Sequence, residues 1–165
     1  MSHRSPSAPG FPILIDGKNR IGAGCARDLW AEGASLALTY FQNRQSVDAL
    51  AEELLRGPDS SGRKISLHRV DTGSAEAIEQ LFREIGEQHG QPGPDILVSN
   101  AGQGVRRPGI LDVSLEEFDY TISVNLRASF ILTKLSIPHM EARKWGRIIF
   151  ISSIAAQGGG INACH

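Results

Sequence analysis

Residues 11–24 read FPILIDGKNRIGAG. The apolar run Phe11–Asp16 breaks at Gly17, glycine returns at Gly22 and Gly24, and a helical pattern runs from Ile21 to Glu32 before Gly33 in the helix-stop position. A buried strand passing through a glycine turn into a helix opens a βαβ unit. Such a turn suits an anion. Glycine has no Cβ to obstruct approach, and the free N–H groups and dipole of the following helix face the charge. The same residues also suit a tight turn with close helix packing, and the spacing alone leaves both readings open.

Outward from this stretch the alternation continues. Ser35–Tyr40 (SLALTY) reads as a second strand, and Val47, Leu50, Ala51, Leu54 and Leu55 recur at helical spacing before the turn-rich Gly57–Gly62. Ile65–Val70 is a third strand. A helix then carries Ile78, Leu81, Phe82 and Ile85 on one face, capped by Ser74 and stopped at Gly90. Asp95–Asn100 (DILVSN) is a fourth strand, and Ser114 with Glu117 has the spacing of a capping box. Thr121–Leu126 (TISVNL) alternates like a strand, but Ala128–Leu135 continues without a turn signal, so the whole run is assigned as helix. Gly146–Ser152 is a fifth strand. This order predicts an α/β domain with a parallel sheet covered by helices on both faces, and ligand contacts just past the strand ends. Asp16, Gly17, Asp71, Asn100, Ala101, Gly102 and Ser153 occupy such positions.

Composition bounds the function. In 165 residues, 17 Lys+Arg against 18 Asp+Glu leave a net charge of −1, which argues against a broad basic surface for nucleic acid. Cys25 and Cys164 form no CxxC pair and fit a reducing, cytoplasmic setting better than a disulfide framework. No apolar run reaches the roughly 18 residues of a membrane span. The Ser/Pro-rich residues 1–10 read as a flexible arm without the apolar core of a signal peptide, and residues 11–165 as one domain. His68, His89 and His139 show no metal-like spacing with each other or with the cysteines. Arg106-Arg107 follows the fourth strand, where it reads either as a solvated loop pair or as a contact for an acidic substrate.

The second strand ends Thr39-Tyr40-Phe41-Gln42-Asn43-Arg44, without the acid that would pair with a free ribose 2′-hydroxyl. Arg20 and Arg44 suit a 2′-phosphate, which favours NADP(H) over NAD(H); as surface charges they would simply be solvated.

Taken together, Asp16–Gly22, Asp71-Thr72, Ser99-Asn100-Ala101-Gly102, Val124-Asn125-Leu126 and Ile151-Ser152-Ser153 resemble the short-chain dehydrogenase/reductase family over about Pro12 to His165. The chain is similar in particular to the 3-oxoacyl-[acyl-carrier-protein] reductases. The resemblance implies a Rossmann-type doubly wound sheet of about five strands in the order 3-2-1-4-5, with the family's final strands missing. It implies cofactor contacts from Gly17, Asn19, Arg20, Ile21 and Gly22, with Asp71 accepting from the adenine amino group beside Thr72. It further implies that Asn100, Ala101 and Gly102 lie against the adenosine ribose. Asn125 would sit in an irregular helix turn holding a relay water, and Ser153 would hydrogen-bond the substrate carbonyl.

Two departures stand beside the matches. Asp16 replaces the family's Thr, and the turn from Gly17 to Gly22 is one residue shorter than the family pattern, a loss of about 3.3–3.6 Å of reach. The family's proton-donating Tyr would fall at the first position past His165, with its Lys beyond. The expectation is therefore an NADP(H)-dependent carbonyl reductase whose chain as given lacks the Tyr/Lys proton relay. The alternative is a catalytically inactive nucleotide- or partner-binding fragment. Either way, the fifth strand and the helix around Asn125 are expected to expose apolar surface prone to association. The resemblance also implies a small carbonyl substrate, an acyl thioester by analogy, and a homo-oligomer for the full-length family, with the state of this chain left open.

Overall fold

The computed structural model describes residues 12–16, 20–57 and 62–158. The expected arm (residues 1–10), Gly17, Lys18 and Asn19 of the shortened turn, and Cys164 lie outside the described residues. Five parallel strands form one sheet: β1 (Pro12–Asp16), β2 (Ser35–Tyr40), β3 (Ile65–Arg69), β4 (Ile96–Ser99) and β5 (Arg147–Phe150). Their order is β3-β2-β1-β4-β5, the doubly wound order expected. The helices are α1 (Arg20–Ala31), α2 (Arg44–Leu55), α3 (Ala75–His89), α4 (Leu115–Ile122), α5 (Ala128–Arg143) and the short α6 (Ala155–Gly158).

Period-two alternation sends neighbouring strand residues to opposite layers. Leu36, Leu38, Tyr40, Ile96 and Val98 join Ala26 and Trp30 of α1 and Val47, Leu50 and Leu54 of α2 in one core. Ala37 and Leu97 face the other way, toward Ile78, Leu81, Phe82 and Ile85 of α3 and Ala128, Leu132 and Met140 of α5. The central strands β2 and β4 are buried throughout. Of the apolar repeat predicted on α2, Leu55 is the exception: it is 48% exposed, because it lies at the margin of the stripe, about 100° around the helix from buried Leu54.

Helix ends follow their sequence signals. Ser74 accepts a hydrogen bond from the Ala77 N–H, and Gly90 (φ 71) closes α3 in the left-handed region. Gly33 (φ 91) does the same after α1. The capping box at Ser114 is only half formed. Ser114 Oγ accepts from the Glu117 N–H at 3.2 Å, but the Glu117 carboxylate turns to Arg107 instead of back to the cap.

A buried anchor ties α5 to the sheet. The Asp95 carboxylate, at the entry to β4, meets His139 Nε2 at 3.1 Å and Arg143 Nε at 2.8 Å, while its carbonyl accepts from the Arg147 N–H. Burial pushes the Asp95 carboxyl up against the opposing pull of Arg143 and His139. On the β3 edge, Glu84, His68, Ser66 and His89 form a hydrogen-bonded chain with links of 3.1, 2.8 and 2.8 Å. These histidines have structural partners, and no group of three or more potential metal ligands is assembled among the described residues. Free Cys25 packs part-buried against the core. No helix among the described residues is long and apolar enough to cross a membrane.

Candidate functional site

Because all five strands are parallel, their carboxyl ends lie along one edge of the sheet. The register places Asp16, Ser99 and Phe150 in one row across β1, β4 and β5, and Tyr40 beside Arg69 across β2 and β3. The chain order reverses between β1 and β4, the switch point outside which the ligand crevice of such sheets lies.

From β1 the chain enters α1, whose first residue, Arg20, is exposed. Ile21 is 53% exposed, while Gly22 is buried against the sheet side of the helix. At the end of β2, Asn43 caps α2 by accepting from the Ser46 N–H. Arg44 lies on the surface with its guanidinium 3.3 Å from Asp48, so it would have to leave that partner to meet a phosphate.

At the end of β3, Asp71 Oδ1 accepts from the Gly73 N–H at 2.9 Å and from the Tyr120 hydroxyl at 3.1 Å. Thr72 beside it is buried. Burial, with the carboxylate second, raises the Tyr120 phenol above its ordinary range. After β4, Asn100 is buried, Ala101 half-buried and Gly102 exposed.

The residues after Gly102 are held from across the crevice. Asn125 Nδ2 donates to the Gln103 carbonyl at 2.7 Å, and Asn125 Oδ1 accepts from the Gln103 N–H at 2.8 Å. Asn125 lies in a π-helical turn, Ser123–Arg127, between α4 and α5. Burial here follows helical and not strand spacing, at Thr121, Val124 and Ala128, and the apparent alternation of TISVNL leaves Leu126 64% exposed. Both polar ends of the Asn125 side chain are committed to the loop, a positioning contact that the water-holding expectation did not anticipate.

Ser153 follows β5 and is exposed. Its Oγ accepts from the Ala155 N–H at 3.2 Å, so its own hydroxyl hydrogen is left for an outside acceptor. Arg107 binds both carboxylate oxygens of Glu117 and is therefore a strut of the loop after β4, not an open cation for an acidic substrate. Arg106 is exposed. A groove of about 410 Å³ between α3 and Leu135, lined also by Pro92, lies away from these strand ends.

Sequence reasoning missed the Tyr120–Asp71 and Asn125–Gln103 contacts, which join residues 49 and 22 positions apart. It did place their elements side by side.

A doubly wound parallel sheet with polar groups gathered at the carboxyl ends defines the class as a Rossmann-type α/β domain. The short chain dehydrogenase family model matches residues 13–165, and the chain belongs to that family. It is 35% identical over 156 residues to human dehydrogenase/reductase SDR family member 4, covering 94% of this chain and 54% of that protein. It is 36% identical over 146 residues to D-beta-hydroxybutyrate dehydrogenase of Cupriavidus necator, covering 87% of this chain and 53% of that one. The chain thus spans about half the length of the curated relatives it matches. Among solved structures, a metagenomic short-chain oxidoreductase in complex with NADP superposes with TM-score 0.82 at 31% identity, covering 95% of this chain and 68% of that one. An NADH-dependent reductase complexed with NAD gives 0.79 at 27% identity, covering 94% and 65%.

Proposed function

We propose that this chain forms the nicotinamide-dinucleotide half of an oxidoreductase that reduces a carbonyl compound to its alcohol. The observation carrying the reading is the convergence of the α1 N-terminus, Asp71, the Asn100–Gly102 segment and Ser153 on one edge of the sheet. The donor set fits a dinucleotide. The amino end of a twelve-residue helix faces the end of β1 and suits the pyrophosphate, with Gly17, Asn19, Arg20, Ile21 and Gly22 as its contacts. Asp71 accepts from the adenine amino group with Thr72 beside it, and Asn100, Ala101 and Gly102 line the ribose. When bound, the nicotinamide supplies the hydride chemistry. Ser153 donates its free hydroxyl hydrogen to the substrate carbonyl oxygen, and Asn125 fixes the loop that borders it.

NADP(H) is the proposed cofactor in preference to NAD(H). Arg20 at the start of α1, and Arg44 at the start of α2 once it leaves Asp48, suit a 2′-phosphate, and Phe41-Gln42-Asn43 offers no carboxylate for a free 2′-hydroxyl. The proposed substrate is a small carbonyl compound, an acyl thioester by analogy with 3-oxoacyl reductases. A cytoplasmic, homo-oligomeric enzyme completes the proposal.

One observation favours a second reading, binding without turnover. Tyr40 ends β2, three strand spacings or about 14 Å from β5, and Tyr120 is bonded to Asp71 beyond β3. Neither described tyrosine can donate a proton beside Ser153. Calorimetric titration with NADPH and NADH tests the binding reading. Saturable binding is expected, at least about tenfold tighter for NADPH and with that margin reduced in Arg20→Ala, the size of one lost charged contact. No heat at millimolar NADPH would contradict it.

A further inference from the structure

We propose that Tyr120 is a positioning residue for the nucleotide base: its hydroxyl orients the Asp71 carboxylate so that the crevice selects a base with an exocyclic amino donor. The inference rests on the reading of Asp71 as the adenine contact. Tyr120 reaches Asp71 from α4, 49 residues along the chain, and donates to Oδ1 at 3.1 Å. The Gly73 N–H donates to the same oxygen at 2.9 Å. With Oδ1 already accepting from two donors, one in its own turn and one on α4, the carboxylate cannot rotate freely, and Oδ2 is the oxygen left to accept from a ligand.

The tyrosine is itself held in place. A Cβ at position 73 would stand 2.8 Å from Tyr120 Cε2 and 3.1 Å from Asp71 Oδ1, so the ring and carboxylate are packed against a site that only glycine leaves open. The carboxylate accepts and cannot donate, which favours a 6-amino purine over a 6-oxo purine. The 6-oxo group would set an oxygen against Oδ2.

The test compares calorimetric or fluorescence-quench affinities for NADPH and for its hypoxanthine counterpart, in the wild type and in Tyr120→Phe. Wild type should favour the adenine form by about tenfold, and Tyr120→Phe should lower affinity for that form about five- to tenfold while leaving the hypoxanthine form unchanged, the size of one ordinary hydrogen bond, because Tyr120 acts through Asp71 and not on the base itself. Gly73→Ala, which displaces the ring, should reproduce the loss. Asp71→Asn should abolish the discrimination.

An unchanged adenine-to-hypoxanthine ratio in Tyr120→Phe overturns the role of Tyr120 alone, because a purely packing role would lower both affinities together or neither. Wild type that binds both dinucleotides equally overturns the reading of Asp71 and this inference with it. Wild type that binds no dinucleotide at all overturns the proposed function as well.

Discussion

Replacing Asn125 with Ala removes both hydrogen bonds that tie the π-helical turn to the loop after β4. Each contact between a neutral side chain and backbone is worth about 0.5–1.5 kcal/mol, and the exposure of Asn125 puts this pair toward the lower half, about 1–2 kcal/mol together. For a domain of this size that is a fall in melting temperature of about 2–8 °C. Asn125→Asp keeps the acceptor for the Gln103 N–H but turns a carboxylate oxygen toward the Gln103 carbonyl, so it should cost at least as much. The local signature is sharper than the global one. Hydrogen exchange at the Gln103 amide should accelerate about tenfold, while Leu97 and Val98, buried in β4, change only by the global loss. A Gln103 amide that exchanges equally fast in wild type and Asn125→Ala would refute the claim that this side chain holds the loop.

Other expectations concern the anchors and the edge. Asp95→Ala should cost about 1–3 kcal/mol in urea unfolding, mainly because buried His139 loses its partner while Arg143, 38% exposed, can turn to water; a loss under about 0.5 kcal/mol would contradict the anchor. Leu132, fully buried between α5 and the sheet, should cost about 2–5 kcal/mol as Leu132→Ala in the same assay. Burial, then His68 and Lys64, hold His89 down at about 4 from 6.5, so the unfolded chain takes the proton first. Stability should therefore be full above about pH 6.5 and fall toward pH 4, by at most roughly 3 kcal/mol and less for a half-buried ring. Glu84, held low mainly by its hydrogen bond from His68, extends the decline below its ordinary range. Urea midpoints that rise on acidification would overturn that assignment. On the edge strand β5, Ile149 and Phe150 are 43% and 57% exposed, and Phe150→Lys should reduce self-association in sedimentation velocity without lowering the melting temperature.

The periodic parts of this fold were legible because burial imposes a period. SLALTY is bounded at Ser35 and Tyr40 as read, and the faces of α2 and α3 were identified from apolar spacing, with Leu55 helical as read but exposed at the margin of its stripe. Gly90 and Ser74 act as read because caps are local. Glu117 did not complete its box, since a charged partner on another segment, Arg107, outcompeted the cap. The site was legible as a set of positions after strands. The pairings that hold it, Tyr120 with Asp71 and Asn125 with Gln103, join distant segments by single side chains and leave no periodic trace.

The central claim is that one crevice at the carboxyl edge of the sheet receives a nicotinamide dinucleotide. Amide chemical-shift mapping of the isotope-labelled chain during an NADPH titration tests it residue by residue. The account predicts saturable shifts at Gly22, Asp71, Thr72, Asn100 to Gly102 and Ser153. Shifts absent from these amides, or gathered around the groove at Phe82 and Pro92, would contradict it.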